Sequence, residues 1–118
     1  MEAFKVKGGK KLSGKIKPQG AKNEALQIIS AVLLTKDEVV VENIPNIIDV
    51  NRLIDLLSSM GVLVNQINDH KYSFKASNID LDYMQSADFE EKAKGLRGSI
   101  MIIGPLLSRF GFASIPKP

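Results

Sequence analysis

Apolar and polar positions alternate with a period of two at the start of the chain. Phe4 and Val6 alternate with Lys5 and Lys7. After Gly8-Gly9-Lys10-Lys11, Leu12, Gly14, Ile16 and Pro18 alternate with Ser13, Lys15 and Lys17. Period two on both sides of a glycine-rich turn predicts a hairpin over residues 1–20 with one lysine-covered face. Those lysines also discourage edge pairing with other chains. Beyond Pro18-Gln19-Gly20 the period changes. A helix from about Asn23 to Leu34 is apolar at Ala25, Leu26, Ile28, Ile29, Ala31, Val32, Leu33 and Leu34. Its polar stripe is only Glu24, Gln27 and Ser30, which predicts burial on most sides.

The rest of the pattern is more conventional. Glu38–Glu42 predicts a short strand and Asn43–Asn46 a loop. Asp49 is the expected N-cap of a second helix with Val50, Leu53, Ile54, Leu57 and Met60 on one face. Gly61 fits the left-handed position after its end. Val62–Ile67 and Tyr72–Ala76 predict strands around a turn at Asn68-Asp69-His70. Asn78–Glu91 reads as an acidic loop with a short helix starting near Asp88. A last helix is expected from Arg97 to Phe110, kinked where Pro105 crowds the carbonyl of Met101 and ended by Gly111. Phe112–Ile115 is a candidate final strand. The class is mixed α/β.

Composition narrows the chemistry. The 118 residues fit one domain, and 44% apolar with 25% charged residues is an ordinary globular balance. The absence of cysteine excludes disulfides, thiolate metal sites and a cysteine nucleophile within this stretch. The opening Met1–Lys5 has no apolar core of a secretion signal. Ile28–Leu34 and Ile100–Leu107 are far shorter than the roughly 20 residues that span a bilayer. A soluble cytoplasmic protein without membrane association is therefore expected. The net charge of +3 is uneven, with +6 in residues 1–22 and −3 in the remainder. Such a basic start suits a polyanion or a solvated strand face.

No dinucleotide or phosphate-loop glycine signature is present, nor any metal-ligand spacing. His70, the one histidine, is expected in an exposed turn. The acids Asp80, Asp82, Asp88, Glu90 and Glu91 lack calcium-loop spacing and read as a solvated segment at a helix start. Gly20-Ala21-Lys22-Asn23 is more informative. Helix N-termini attract anions, Lys22 adds a full positive charge, and Asn23 offers a donor and an acceptor. The residues alone leave a second reading open, in which Asn23 is an N-cap and Lys22 an exposed loop residue. Arg97 starts an otherwise apolar helix, where a cation opposes the dipole. It either serves a ligand or pairs with Asp88 or Glu91.

Two long motifs go further. Gly20-Ala21-Lys22-Asn23-Glu24-Ala25-Leu26, and the run from Leu96-Arg97-Gly98-Ser99 through Gly104-Pro105-Leu106-Leu107-Ser108-Arg109-Phe110-Gly111, resemble signatures of the bacterial UDP-N-acetylglucosamine enolpyruvyl transferases (1-carboxyvinyltransferases). The Asn43-Ile44-Pro45 loop and the Asp49 helix agree, so the resemblance covers essentially the whole chain. Glu24 and Met101 depart from residues common in that family.

The resemblance implies transfer of the enolpyruvyl group of phosphoenolpyruvate to the 3-hydroxyl of UDP-N-acetylglucosamine with release of phosphate, the committed step toward peptidoglycan, with no metal or organic cofactor. It implies an inside-out α/β barrel built from βαβαββ units, of which this chain would hold about one unit, the opening hairpin and the start of the next unit. Residues 1–20 would belong to the second domain and 21–118 to the first part of the first domain. Lys22 and Asn23 would contact phosphoenolpyruvate, and Arg97 UDP-N-acetylglucosamine. The catalytic Cys or Asp would follow Pro118, so no catalytic residue is expected within the chain. Alone it is expected to be inactive and to self-associate where the remaining domains of the enzyme would cover it.

Three other readings remain. The related transferase acting on shikimate phosphate usually has Lys-Ser in place of Lys22-Asn23. A free-standing module could bind nucleic acid or another polyanion through the lysine-rich hairpin, although no aromatic beyond Phe4 offers a stacking platform. A scaffold domain is the third.

Overall fold

The computed structural model describes residues Glu2–Lys117. After the N-terminal segment come α1 (Lys22–Ala31), a 3-10 turn (Val32–Leu34), β1 (Glu38–Val41), α2 (Ile48–Ser59), β2 (Leu63–Asn68) and β3 (Lys71–Lys75). A 3-10 turn (Leu81–Gln85), α3 (Ala87–Lys94), a second 3-10 segment (Arg97–Ile102) and α4 (Ile103–Phe110) complete the order. Helix–strand–helix–strand–strand is five-sixths of a βαβαββ unit, and no leading strand forms among the described residues.

β3 lies between β1 and β2, antiparallel to both. Val39 faces Phe74, which faces Val64, and Val41 faces Tyr72. Alternation places these side chains on one face of the sheet, packed into the core with the helices. Tyr72 and Phe74 stack with ring centroids 6.0 Å apart. On the other face Val40 and Leu63 remain exposed. The β2–β3 turn is local: His70 N donates to Asn68 Oδ1 at 2.9 Å, an Asx turn that tightens the corner.

α2 forms where its apolar spacing predicts, with Val50, Leu53, Ile54 and Leu57 buried. Gly61 follows with φ +107, and a Cβ there would overlap the carbonyl of Asn78. The predicted cap is displaced, however. Ile47 is the N-cap and makes no side-chain cap bond, while Asp49 sits inside the first turn. A carboxylate there still meets the positive end of the helix. Ser86, in contrast, caps α3 properly, accepting from Phe89 N at 3.1 Å.

Four other expectations are corrected. Residues 2–20 contain no strand, and Phe4, Val6, Leu12 and Ile16 are exposed. An isolated two-stranded hairpin is marginal in water, and here it has no further sheet to pack on. The radius of gyration, 17.4 Å, exceeds the roughly 13–14 Å of a compact chain this long because this segment runs off the body. α1 is not buried on most sides: Ala25, Leu26, Ile29 and Ser30 are inside, while Ile28 and Ala31 face out. Ser30 buries by donating its hydroxyl to the Leu26 carbonyl at 2.7 Å.

The last helix is two segments rather than one kinked helix. The chain runs as 3-10 through Ile102, so Pro105 falls in the first turn of α4, where its missing N–H has no helical carbonyl to serve. Gly111 ends α4 in the left-handed region at φ +71, with its N–H on the Leu107 carbonyl at 3.0 Å. Phe112–Ile115 forms no strand, because no partner strand lies beside it among the described residues. No helix among the described residues is long and apolar enough to cross a membrane.

Candidate functional site

The start of α1 is set by a backbone contact. Gly20 lies against the loop after β1 so closely that a Cβ would overlap the Asn43 carbonyl oxygen and crowd the Pro45 ring at 3.1 Å. The loop itself is held by local contacts. Asn43 adopts φ +59, a region asparagine tolerates. Ile44 is buried, and its N–H donates to the His70 carbonyl at 2.9 Å. The His70 ring returns the bond, with Nδ1 2.8 Å from the Ile44 carbonyl oxygen. That carbonyl can only accept, so Nδ1 carries the proton. The expected turn histidine thus clamps the loop on which Gly20 rests.

Ala21, extended at φ −79 and ψ 134, is the N-cap of α1 and provides no side-chain cap. Asn23 is therefore not the cap that one reading allowed; it lies within the first turn and is exposed. The first N–H groups of a ten-residue helix are left without a side-chain acceptor, at its electropositive end. Lys22 stands at this end. Its ammonium lies 3.3 Å from Asp49 Oδ2, and both side chains are about half exposed (49% and 45%). Lys22, Ile47, Ile48 and Asp49 line a recess of about 360 Å³. A second recess of about 400 Å³, on the Gly20–Glu24 side, is lined also by Asn43 and Ile44. A larger cleft of about 700 Å³ lies away from Lys22, between Lys17, Glu42, His70 and Lys71.

The second motif meets the same helix through the residue after Arg97. Leu96 is buried. Next to Arg97, Gly98 packs on α1, where a Cβ would stand 3.1 Å from Leu26 Cδ1. Leu26 is one turn along from Lys22 and Asn23, so the fold brings both motifs onto the N-terminal half of α1. Arg97 is exposed and makes no ion pair among the described residues. Neither expected partner pairs with it: Glu91 is in no ion pair among the described residues, and Asp88 is engaged by the Tyr83 hydroxyl and by Lys92 at 3.7 Å. Lys92 also bonds Ser59 Oγ at 2.7 Å and pairs with Asp55 at 3.3 Å, fastening α3 to α2.

Arg109, in the last turn of α4, is not a residue that hydrophobic spacing marks. Its Nη1 donates to the carbonyls of Leu33 (3.1 Å), Thr35 (3.2 Å) and Ala76 (2.6 Å), and its guanidinium lies 4.6 Å from the Phe110 ring centroid. The available signal was a basic residue in a last helical turn, which commonly serves free carbonyls. Here those carbonyls belong to other elements, so the role is structural.

Comparison with known proteins identifies the family. The family model described as EPSP synthase (3-phosphoshikimate 1-carboxyvinyltransferase) matches residues 6–117. The chain is 57% identical over all 118 residues to proteins named UDP-N-acetylglucosamine 1-carboxyvinyltransferase from Bacteroides fragilis and Porphyromonas gingivalis. It is 39% identical over 118 residues to one from Wolinella succinogenes. It spans 27% of the length of each of these relatives. Among solved structures, the enolpyruvyl transferase NikO from Streptomyces tendae has the same fold over 88% of this chain and 23% of its own, with a TM-score of 0.68 at 23% identity. A match over residues 6–117, nearly the whole chain, places the chain in the EPSP synthase (3-phosphoshikimate 1-carboxyvinyltransferase) family.

Proposed function

We propose that this chain is the phosphoenolpyruvate-facing part of a cytoplasmic transferase that moves the enolpyruvyl group of phosphoenolpyruvate onto the 3-hydroxyl of UDP-N-acetylglucosamine, releasing phosphate, in the committed step toward peptidoglycan. The observation that carries this reading is 57% identity over the whole chain to relatives bearing that activity in their name. The remaining domains of the enzyme, including the proton-donating Cys or Asp, lie outside these residues. Residues 1–20 pair within the second domain, which supplies the sheet they lack here.

The local chemistry fits the roles assigned to Lys22, Asn23 and Arg97. Phosphoenolpyruvate carries a carboxylate and a phosphate. Lys22 and the uncapped N–H groups of α1 concentrate positive charge at one point before any ligand arrives. Charge that develops during addition and elimination is stabilised best by such preorganised groups. The Lys22–Asp49 pair is weak enough to yield: a half-exposed pair contributes about 0–1 kcal/mol, less than the roughly 1.5–3 kcal/mol of a hydrogen bond to a charged group. Asn23 offers an amide beside it, and Arg97 supplies a planar fork for a diphosphate.

The test is phosphate release by the complete protein, given phosphoenolpyruvate with either UDP-N-acetylglucosamine or shikimate 3-phosphate. Release that depends on the sugar nucleotide supports the reading. Release with shikimate 3-phosphate alone overturns the acceptor.

A further inference from the structure

Arg97 is rooted in an unusually well-tied stretch of backbone, although its own head group is unpaired among the described residues. Arg52, on α2, donates Nη1 to the Gly95 carbonyl at 3.3 Å, across 43 residues of sequence. Gly95 is the C-cap of α3, two residues before Arg97. On the other side, Ser99 is buried (4% exposed) and its hydroxyl donates to the Ala93 carbonyl at 3.2 Å. The Leu96 N–H reaches that same carbonyl at 3.2 Å, and the Ser99 N–H reaches the Leu96 carbonyl at 3.1 Å. Gly98 then seats the segment on Leu26 of α1.

We propose that Arg52 and Ser99 are positioning residues that hold the Gly95–Ser99 turn against α1, so that Arg97 meets an anionic sugar nucleotide from a fixed root. The inference rests on the reading of Arg97 as a sugar-nucleotide contact. Two features carry it. The ties bracket Arg97 from both sides and come from different elements, so together they fix the direction in which the side chain leaves. The Arg52 tie is also poorly placed to serve stability alone, because the Gly95 carbonyl is exposed and has water as an alternative, whereas the Ser99 bond also satisfies a buried hydroxyl. Fixing the root of a long cation removes freedom that binding would otherwise have to remove.

The experiment uses the complete transferase, with Arg52→Met, Arg52→Lys, Ser99→Ala, Arg97→Ala and Arg52→Met combined with Arg97→Ala. The readouts are the Kd for UDP-N-acetylglucosamine by calorimetry, the KM for phosphoenolpyruvate and the thermal midpoint. Arg52→Met is expected to weaken sugar-nucleotide binding about 3- to 10-fold, the size of one lost hydrogen bond, with the phosphoenolpyruvate KM and the midpoint unchanged. Arg52→Lys keeps a donor and restores most of the binding. On the Arg97→Ala background the Arg52→Met effect disappears, because the two residues act through one contact. The same factor on both backgrounds, or no effect of Arg52→Met, overturns the positioning role and leaves the reading of Arg97 standing. An Arg97→Ala variant with normal sugar-nucleotide affinity overturns that reading and the proposal with it. Should Ser99→Ala unfold, the exposed Arg52 variants still decide the matter.

Discussion

Gly20 and Asn43 touch backbone to backbone: the α-carbon of the glycine lies where any side chain would run into the asparagine carbonyl. That contact places the first turn of α1, and with it Lys22, relative to the loop that His70 clamps. Gly20→Ala is therefore expected to destabilise the protein by about 1–3 kcal/mol through overpacking against unyielding backbone. It should also lower activity beyond what stability explains, because the helix start must shift. Thermal unfolding beside steady-state kinetics checks both; a variant with wild-type values in each would mean that the loop moves freely.

Lys22→Ala separates binding from folding. The Lys22–Asp49 pair is half exposed, so its loss should change stability by no more than about 0.5 kcal/mol. In the complete transferase the same change should reduce productive use of phosphoenolpyruvate by about 10- to 150-fold, the size of a charge-assisted contact. Wild-type kinetics would show Lys22 to be a surface cation.

Arg109→Met should do the reverse. It withdraws the donor from three carbonyls, which is expected to cost about 1.5–3 kcal/mol, while KM values stay unchanged. Chemical denaturation reads the first effect and substrate titration the second.

Alkaline pH should loosen the α2–α3 contact. Burial lowers the Lys92 pKa, but the hydrogen bond to Asp55 and the charges of Asp55 and Asp88 outweigh it, and the net shift is upward. Burial raises Tyr83, and its hydrogen bond to Asp88 raises it further. Folding thus favours the protonated form of both groups. Their contribution is intact below their ordinary values of 10.5 and 10.0 and is lost as pH rises through the higher folded values. Melting temperatures measured from pH 8 upward should fall above about pH 10, and Lys92→Met should flatten that fall. An unchanged slope in the variant would assign the alkaline loss to other groups.

The chain by itself should associate. Ile28, Leu34, Ile100, Met101 and Leu107 are exposed on contacting elements, and Phe4, Val6, Leu12 and Ile16 are exposed along the N-terminal segment. Light scattering is expected to show mass rising with concentration, with binding of a dye that reports apolar surface. A concentration-independent monomer without dye binding would contradict this.

What was legible in the sequence is what local rules decide. α2, the β2–β3 hairpin, Gly61 and Gly111 follow from spacing and from the freedom of glycine, because their causes lie within a few residues. The opening hairpin was misread for the opposite reason. Alternation shows that a segment can form strands, but a strand also needs a neighbour. Asp49 was read as the cap although the cap is Ile47, two residues earlier, because a carboxylate is favourable at several positions near a helix start; its actual partner, Lys22, is 27 residues away. The unpaired state of Arg97 among the described residues was equally hidden, since the sequence offered both Asp88 and Glu91 as partners and neither pairs with it.

The three carbonyls gathered by Arg109 also impose an order of events on synthesis. Leu33, Thr35 and Ala76 precede residue 109 by 76, 74 and 33 positions, and domains begin to organise as they emerge. Until residue 109 is made, those carbonyls lack the Arg109 donor. Closing such wide loops costs chain entropy that one late side chain helps to offset. The tie across the seam between α1 and the sheet can therefore close only after α4 has been made.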